Sequence, residues 1–249
     1  MLFGSTALAA RIERAECALL TDSARAVARV RPGTDVLVRP LAGGVATHAG
    51  TGSPLNKVAG LGFGGPVDEA ELSEVEHLYA ARKARVQVEL SCLADPSVGV
   101  MLTGRGYGLV GFENVLGRAL SARDVASSSS AGSEITVEVG DDESFATWLD
   151  TVVTGFASPD QQGVPSHESF LREVLEQVMS DMSGADGFVR YLAFREGRAA
   201  GGACMRLDEG VAQLCGASTR PEHRRRGVQA ALLARRLADA AHAGCDVAS

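Results

Sequence analysis

The sequence predicts an α/β protein, with strands and helices mixed in each of two domains. Three observations predict it. Short β-rich runs alternate with helices of three- and four-residue apolar spacing in both halves. The stretch ASSSSAGS at 126–133 contains no apolar residue larger than Ala, so it cannot bury enough surface to offset the entropy of ordering. Beyond it the alternation begins afresh. The boundaries that follow are a first domain over 1–125, a Ser-rich linker over 126–133 and a second domain over 134–249, and a chain of 249 residues accommodates two small domains.

The first helix runs from Ser5 to Val30, with Leu8, Ile12, Ala15 and Leu19 on one face and no internal Gly or Pro. RPG at 31–33 stops it. DVLVRPLAGGVATHAG reads as a β-rich segment with a Gly-Gly turn, and NKVAGLGFGG as a further extended stretch ending in glycines. Asp68 with Glu71 is a capping-box pattern ahead of a helix whose apolar face holds Leu72, Val75, Leu78 and Tyr79. VQVEL at 86–90 is then a strand, and 95–117 a short helix, a glycine break and a final strand or hairpin. Past the linker come strand ITVEV, a helix with Phe145, Trp148, Leu149, Val152 and Val153, and the loop PDQQGVP at 159–165. Ser166 is the expected N-cap of the next helix, with Phe170, Leu171, Val174, Leu175, Val178 and Met179 on one face. VRYLAFRE and AGGACMRL form a hairpin about Gly197, GVAQLCGAST one strand, 227–242 a helix, and CDVAS a last apolar piece.

Composition narrows the function. A chain 45% hydrophobic and 22% charged is ordinary globular material. Its net charge of -7 argues against nucleic acid or an anionic membrane as partner. The five cysteines, Cys17, Cys92, Cys204, Cys215 and Cys245, are odd in number and widely spaced, with no CxxC pair and no His at zinc-ligand distance. That pattern predicts a reducing cytoplasm and no metal site. No apolar run approaches the roughly 18 residues of a membrane span, and the first ten residues lack a signal peptide's basic start.

Against this acidic background RPEHRRRGVQAALL at 220–233 is anomalous. A strand feeds a basic turn that enters an apolar helix at Gly227. A helix N-terminus carries unpartnered N–H groups and partial positive charge, a natural seat for phosphate. Gly227 lets a backbone approach closely, and Arg224, Arg225 and Arg226 add full charges. An arginine run against the helix dipole is unfavourable by itself, which an anion bound among the arginines would explain.

Arg224-x-x-Gly227-x-Gln229, preceded by Pro221 and VAQLCGAST, resembles the acyl-CoA signature of the GNAT N-acyltransferase superfamily, and the element order from Ile135 to Cys245 is similar to that family's. The resemblance implies two GNAT-like domains, each a twisted, largely antiparallel sheet flanked by helices. It implies that the turn Arg224, Arg225, Arg226, Gly227, Val228, Gln229 and Ala230 holds the pyrophosphate of acetyl-CoA, and that Ala217, Ser218 and Thr219 run beside the pantetheine arm. The implied reaction is direct attack of an amine, on a small molecule or a peptide, on the thioester. Gln229 departs from the family's small residue and is expected to crowd the cradle. His167 and Glu168 are the candidate bases, although a loop His or Glu beside a helix start also serves as a cap or a dipole partner. Cys215 reads as packing, and the glycines of GLGFGG lack dinucleotide spacing.

VAGLGFGGPVDEAEL from Val58 aligns loosely with the stretch from Val211, but its turn holds Asp68, Glu69 and Glu71, so the first domain is expected to be a degenerate repeat that binds no CoA. The second repeat stops at the strand CDVAS. Against the family it lacks a last helix and strands, which predicts an open acyl pocket and an exposed sheet edge prone to dimerise. A reading from another class is a non-catalytic sensor or scaffold for CoA esters.

Overall fold

A computed structural model describes residues 4–126, 134–158 and 170–249. The described residues divide into two compact units, one up to Asn114 and the other from Val115 to Ser249. Both are mixed α/β, as expected.

In the first unit α1 (Thr6–Val30) starts where the Ser5 hydroxyl accepts from the Leu8 amide, and it buries Ala15, Leu19, Leu20, Ala24 and Val27. Strands β1 (Val36–Leu41) and β2 (Gly44–Ala49) form an antiparallel hairpin. Its two turn residues, Ala42 and Gly43, have φ of 48° and 82°, the doubly positive geometry that matches strand twist. β3 (Lys57–Ala59) adds to β2. The Asp68 carboxylate accepts from the Ala70 amide and starts α2 (Glu69–Ala81), while Asp95 caps α3 (Pro96–Gly104). Leu41, Val58, Leu61, Leu72, Val75, Tyr79 and Val98 make the core, and the buried Tyr79 hydroxyl donates to the Thr47 carbonyl at 2.5 Å.

VQVEL departs from expectation. It forms only a parallel bridge, Val58 to Val88. β3 is three residues long and ends at Gly60, whose φ is 78°, so little strand is available to pair with. The segment 107–117 is likewise not a hairpin, and it exposes Leu109, Val110, Phe112, Val115 and Leu116 by 68–88%.

The second unit is built on a sheet of order β4-β10-β8-β7-β6-β5, with β9 also on β7. The strands are β4 (Arg118–Ala119), β5 (Ile135–Val139), β6 (Phe188–Arg195), β7 (Arg198–Asp208), β8 (Val211–Gln213), β9 (Ala217–Thr219) and β10 (Val247–Ala248); the helices are α4 (Ala122–Ala126), α5 (Phe145–Phe156), α6 (Arg172–Ser183) and α7 (Val228–His242). All pairs are antiparallel except β8 with β10. Adjacent strand residues face opposite sides of a sheet. A Cβ on Gly201 would lie 2.6 Å from Val228 of α7, and one on Gly202 would lie 2.6 Å from Val152 of α5. The pair Gly201-Gly202 therefore lets one helix close on each face.

Three expectations change. The division between units falls at 114/115, so residues 115–126, expected in the first domain, belong to the second. The reason is pairing: β4 joins β10, and the Leu120 amide donates to the Asp246 carbonyl at 2.8 Å. For the same reason the far edge of β10 is covered where an open one was expected. Finally, α6 begins at Arg172 after Leu171; Ser166 and the Ser-rich stretch 127–133 lie outside the described residues. Among the described residues no helix is long and apolar enough to cross a membrane, and no cluster of three potential ligands could hold a metal ion.

Candidate active site

GVAQLCGAST is not one strand. Between β8 and β9 it bulges at Leu214–Gly216, where a single β7 amide, Cys204 N–H, faces two successive carbonyls, Cys215 at 3.2 Å and Gly216 at 3.1 Å. Gly216 permits the bend with a φ of 49°. In a trans peptide the N–H points opposite to the C=O. Both carbonyls face β7, so the amides of Gly216 and Ala217 face away from it together. Among the described residues β9 has a strand neighbour only on its β7 side, and these two amides open onto its other edge. Bulges beside active sites commonly re-aim groups in this way.

The basic turn follows at once. Pro221–His223 forms a 3-10 turn, Arg225 takes a φ of 61°, and Gly227 stands at the N-cap of α7 with a φ of 84° and no side-chain cap. The first turn of α7 thus presents amides with no carboxylate or hydroxyl from its own cap residue. Val228 is buried against Gly201, while Arg225, Arg226, Gly227, Gln229 and Ala230 are exposed.

Two side chains are used differently from expectation. The Arg224 guanidinium does not reach out for an anion: Nε donates to the Thr219 carbonyl at 3.3 Å, and Nη2 donates to the carbonyls of Gly155 at 3.1 Å and of Ser158. It braces the turn to the end of α5. Gly155 lets α5 come this close, because a Cβ there would lie 2.4 Å from the Ser218 hydroxyl. Gln229, expected to crowd the cradle, donates instead to the Thr219 hydroxyl at 3.0 Å and ties α7 to the end of β9. Ser218 donates to the Val152 carbonyl at 2.9 Å, and Ala217 is half-buried at the bulge. The turn and the strand are brought together; the candidate bases His167 and Glu168 lie outside the described residues.

Neither Arg236 nor Cys204 stands out in the sequence as a residue of the site. Arg236 is 3% exposed; its Nη1 donates to the Cys204 carbonyl at 3.0 Å and its Nε to that of Leu232 at 3.3 Å. Burial pulls its pKa below the usual arginine value. Burial also pushes the Cys204 thiol well above its usual value, with Cys215 adding to the rise, so Cys204 is held neutral and its thiol donates to the Cys215 carbonyl at 2.9 Å. A readable signal existed: Arg236 continues the fourth-residue step Val228, Leu232 that faces the sheet. A cleft of about 540 Å³ next to the turn is lined by Arg195, Glu196, Arg198, Arg220, Glu222 and His223. Arg195 pairs with Glu196 and Arg220 with Asp150, so the cleft carries little net field.

Residues 144–248 match the Acetyltransferase (GNAT) family. Comparison with curated proteins returns no match. Among solved structures, a GCN5-related N-acetyltransferase from Kribbella flavida aligns with a TM-score of 0.58 and 21% identity over 93% of this chain and 84% of its own. The ribosomal-protein-S18-alanine N-acetyltransferase from Escherichia coli aligns with a TM-score of 0.35 and 14% identity over 45% and 62%. A predicted acetyltransferase with acetyl-CoA from Clostridium acetobutylicum gives 0.34 and 10% over 46% and 79%. The last two likenesses are too slight to carry an argument; the first shows a shared fold over nearly the whole chain. Residues 144–248 are a GNAT acetyltransferase domain.

Proposed function

We propose that the chain moves an acetyl group from acetyl-CoA to the amine of a small molecule or peptide by direct attack on the thioester. The observation that carries this is the uncapped, glycine-led N-terminus of α7 beside the edge of β9 that has no strand neighbour among the described residues. In this reading the α7 amides hold the pyrophosphate, Ala217–Thr219 orient the pantetheine arm, and the outward amides of Gly216 and Ala217 polarise the thioester carbonyl, an arrangement whose effect is largest where water is excluded. Arg225 and Arg226 add charge at the mouth, and Arg224 keeps the turn in place. His167 or Glu168 takes the amine proton as the C–N bond forms; the acyl C–S bond then breaks and CoA leaves as the thiolate, which takes up a proton to become the free thiol. The reaction needs no covalent intermediate, because holding amine and thioester together already supplies much of the rate.

The first unit reads as a degenerate repeat. It has the same run of hairpin, strand, glycine turn and helix, but the Asp68 carboxylate already occupies the head of α2. A phosphate arriving there would meet an anion. Exposure of the apolar segment 109–116 supports a homodimer; light scattering on the chain and on Phe112→Asp tests this, with a dimer expected only for the former.

Acetyl-CoA titrated into the chain, followed by thioester turnover with a panel of amines, tests the proposal. Binding with turnover supports it. Binding without turnover of any amine favours a CoA-ester sensor, and no binding removes the acyl-CoA assignment.

A further inference from the structure

Arg236 is an unusual thing to find in this core. The other deeply buried arginine of the unit, Arg206, has the Asp208 carboxylate at 3.3 Å. Among the described residues no carboxylate bonds to Arg236, and its guanidinium is met by backbone carbonyls. Burying a cation with neutral partners alone is unfavourable, so an apolar residue at this place on α7 would be the ordinary solution. What Arg236 does instead is hold the carbonyl of Cys204.

Cys204 in turn governs the bulge. Its amide donates to the carbonyls of Cys215 and Gly216, and its thiol donates to the same two carbonyls, at 2.9 and 3.5 Å. Three donors thus meet at Cys204: Arg236 holds its carbonyl, and its own amide and thiol hold two peptide planes of the bulge. The orientation of those planes decides where the Gly216 and Ala217 amides point. Gly216, with a φ of 49° and no side chain, has the freedom to turn its peptide back into an ordinary ladder. The bonds from Cys204 oppose that turn.

We infer that Arg236, acting through Cys204, is a positioning residue that keeps the Gly216 and Ala217 amides aimed at the thioester carbonyl of bound acetyl-CoA. This rests on the acetyl-CoA reading above. It adds that polarisation of the carbonyl, distinct from retention of the pyrophosphate, depends on a buried side chain of α7 that bonds β7 at Cys204. Arg236 lies about two turns along α7 from its head and bonds only the carbonyls of Leu232 and Cys204 among the described residues, so the two properties separate experimentally.

The test is infrared spectroscopy of acetyl-CoA carrying carbon-13 at the thioester carbonyl, bound to the full chain, with calorimetry of the same samples. For the wild-type chain the carbonyl stretch is expected to move below that of free acetyl-CoA. In Arg236→Met the stretch should return toward the free value while the affinity for CoA itself stays unchanged, and Arg236→Lys, which keeps a donor for the Cys204 carbonyl, should restore most of the shift. Cys204→Ala removes the thiol bonds but keeps the amide's and should give a partial loss; it reads the same bulge if the Met variant does not fold. An unshifted stretch in bound wild-type, or a full shift in Arg236→Met or in Cys204→Ala, overturns the inference and leaves the acetyl-CoA reading standing. Absence of calorimetric binding to the wild-type chain overturns that reading first.

Discussion

Gln229 and Thr219 form a single hydrogen bond, yet it joins the two parts of the site that a ligand would have to span. On sequence alone Gln229→Ala should relieve crowding. The geometry predicts the reverse: loss of a bond of about 0.5–1.5 kcal/mol, at the low end because the residue is exposed, and a weaker grip on acetyl-CoA because the end of β9 is freed. Calorimetry on the variant decides between the two. Asp150 gives a second residue-scale prediction. Its bond to Arg220, and secondarily its pairing with Arg172, holds its carboxyl below the usual carboxylate range. A depressed folded-state pKa means stability that is present above the unfolded value near pH 4 and lost as pH falls through the folded value. Acid unfolding of Asp150→Asn should therefore begin from a lower plateau and show a shallower slope; identical acid limbs in both proteins would show that the pair is inert. Residue types at the turn were legible because a helix head, a glycine and basic charge are local features. The directions of Arg224 and Gln229 were not, because each depends on how closely α5 and β9 approach the turn.

At the scale of elements, the helices and most strands follow from periodicity and caps, and the exceptions have tertiary causes. A strand such as GVAQLCGAST looks continuous in sequence because Leu, Cys and Ala at 214–217 suit a pleat. Its bulge is imposed by the Cys204 donors, eleven and twelve residues away. VQVEL alternates like a strand but has only the short β3 to pair with. Close helix-to-sheet approach is what Gly201 and Gly202 permit, and Gly202→Ala drives a Cβ into Val152 and toward Trp148. Overpacking of this kind typically costs about 1–3 kcal/mol, so thermal unfolding of the second unit should move down measurably. A variant that melts with the wild-type chain would mean that α5 shifts to accommodate the methyl freely.

At the scale of the whole molecule, the Ser-rich stretch suggested where the chain divides, and its low apolar content made it the natural candidate. The division instead precedes it, because two residues at 118–119 pair with β10 across more than a hundred residues of sequence, a contact no local pattern announces. Hydrogen exchange tests this: the Leu120 amide, bonded to Asp246, should lose protection together with the Leu214 amide, bonded to Ser249, when denaturant unfolds the second unit. Loss of protection together with α1 and β2 would assign 115–126 to the first unit. The two helix heads differ, α2 closed by its own carboxylate and α7 without a side-chain cap, and the proposed function assigns acetyl-CoA to α7 alone. The most direct test of that claim is a calorimetric titration of acetyl-CoA into the full chain and into Gly227→Asp, which places at the head of α7 the residue type that caps α2. One binding site on the wild-type chain, weakened about tenfold or more in the variant, is the predicted result; equal affinity in the two proteins, or a site that persists unchanged, would contradict it.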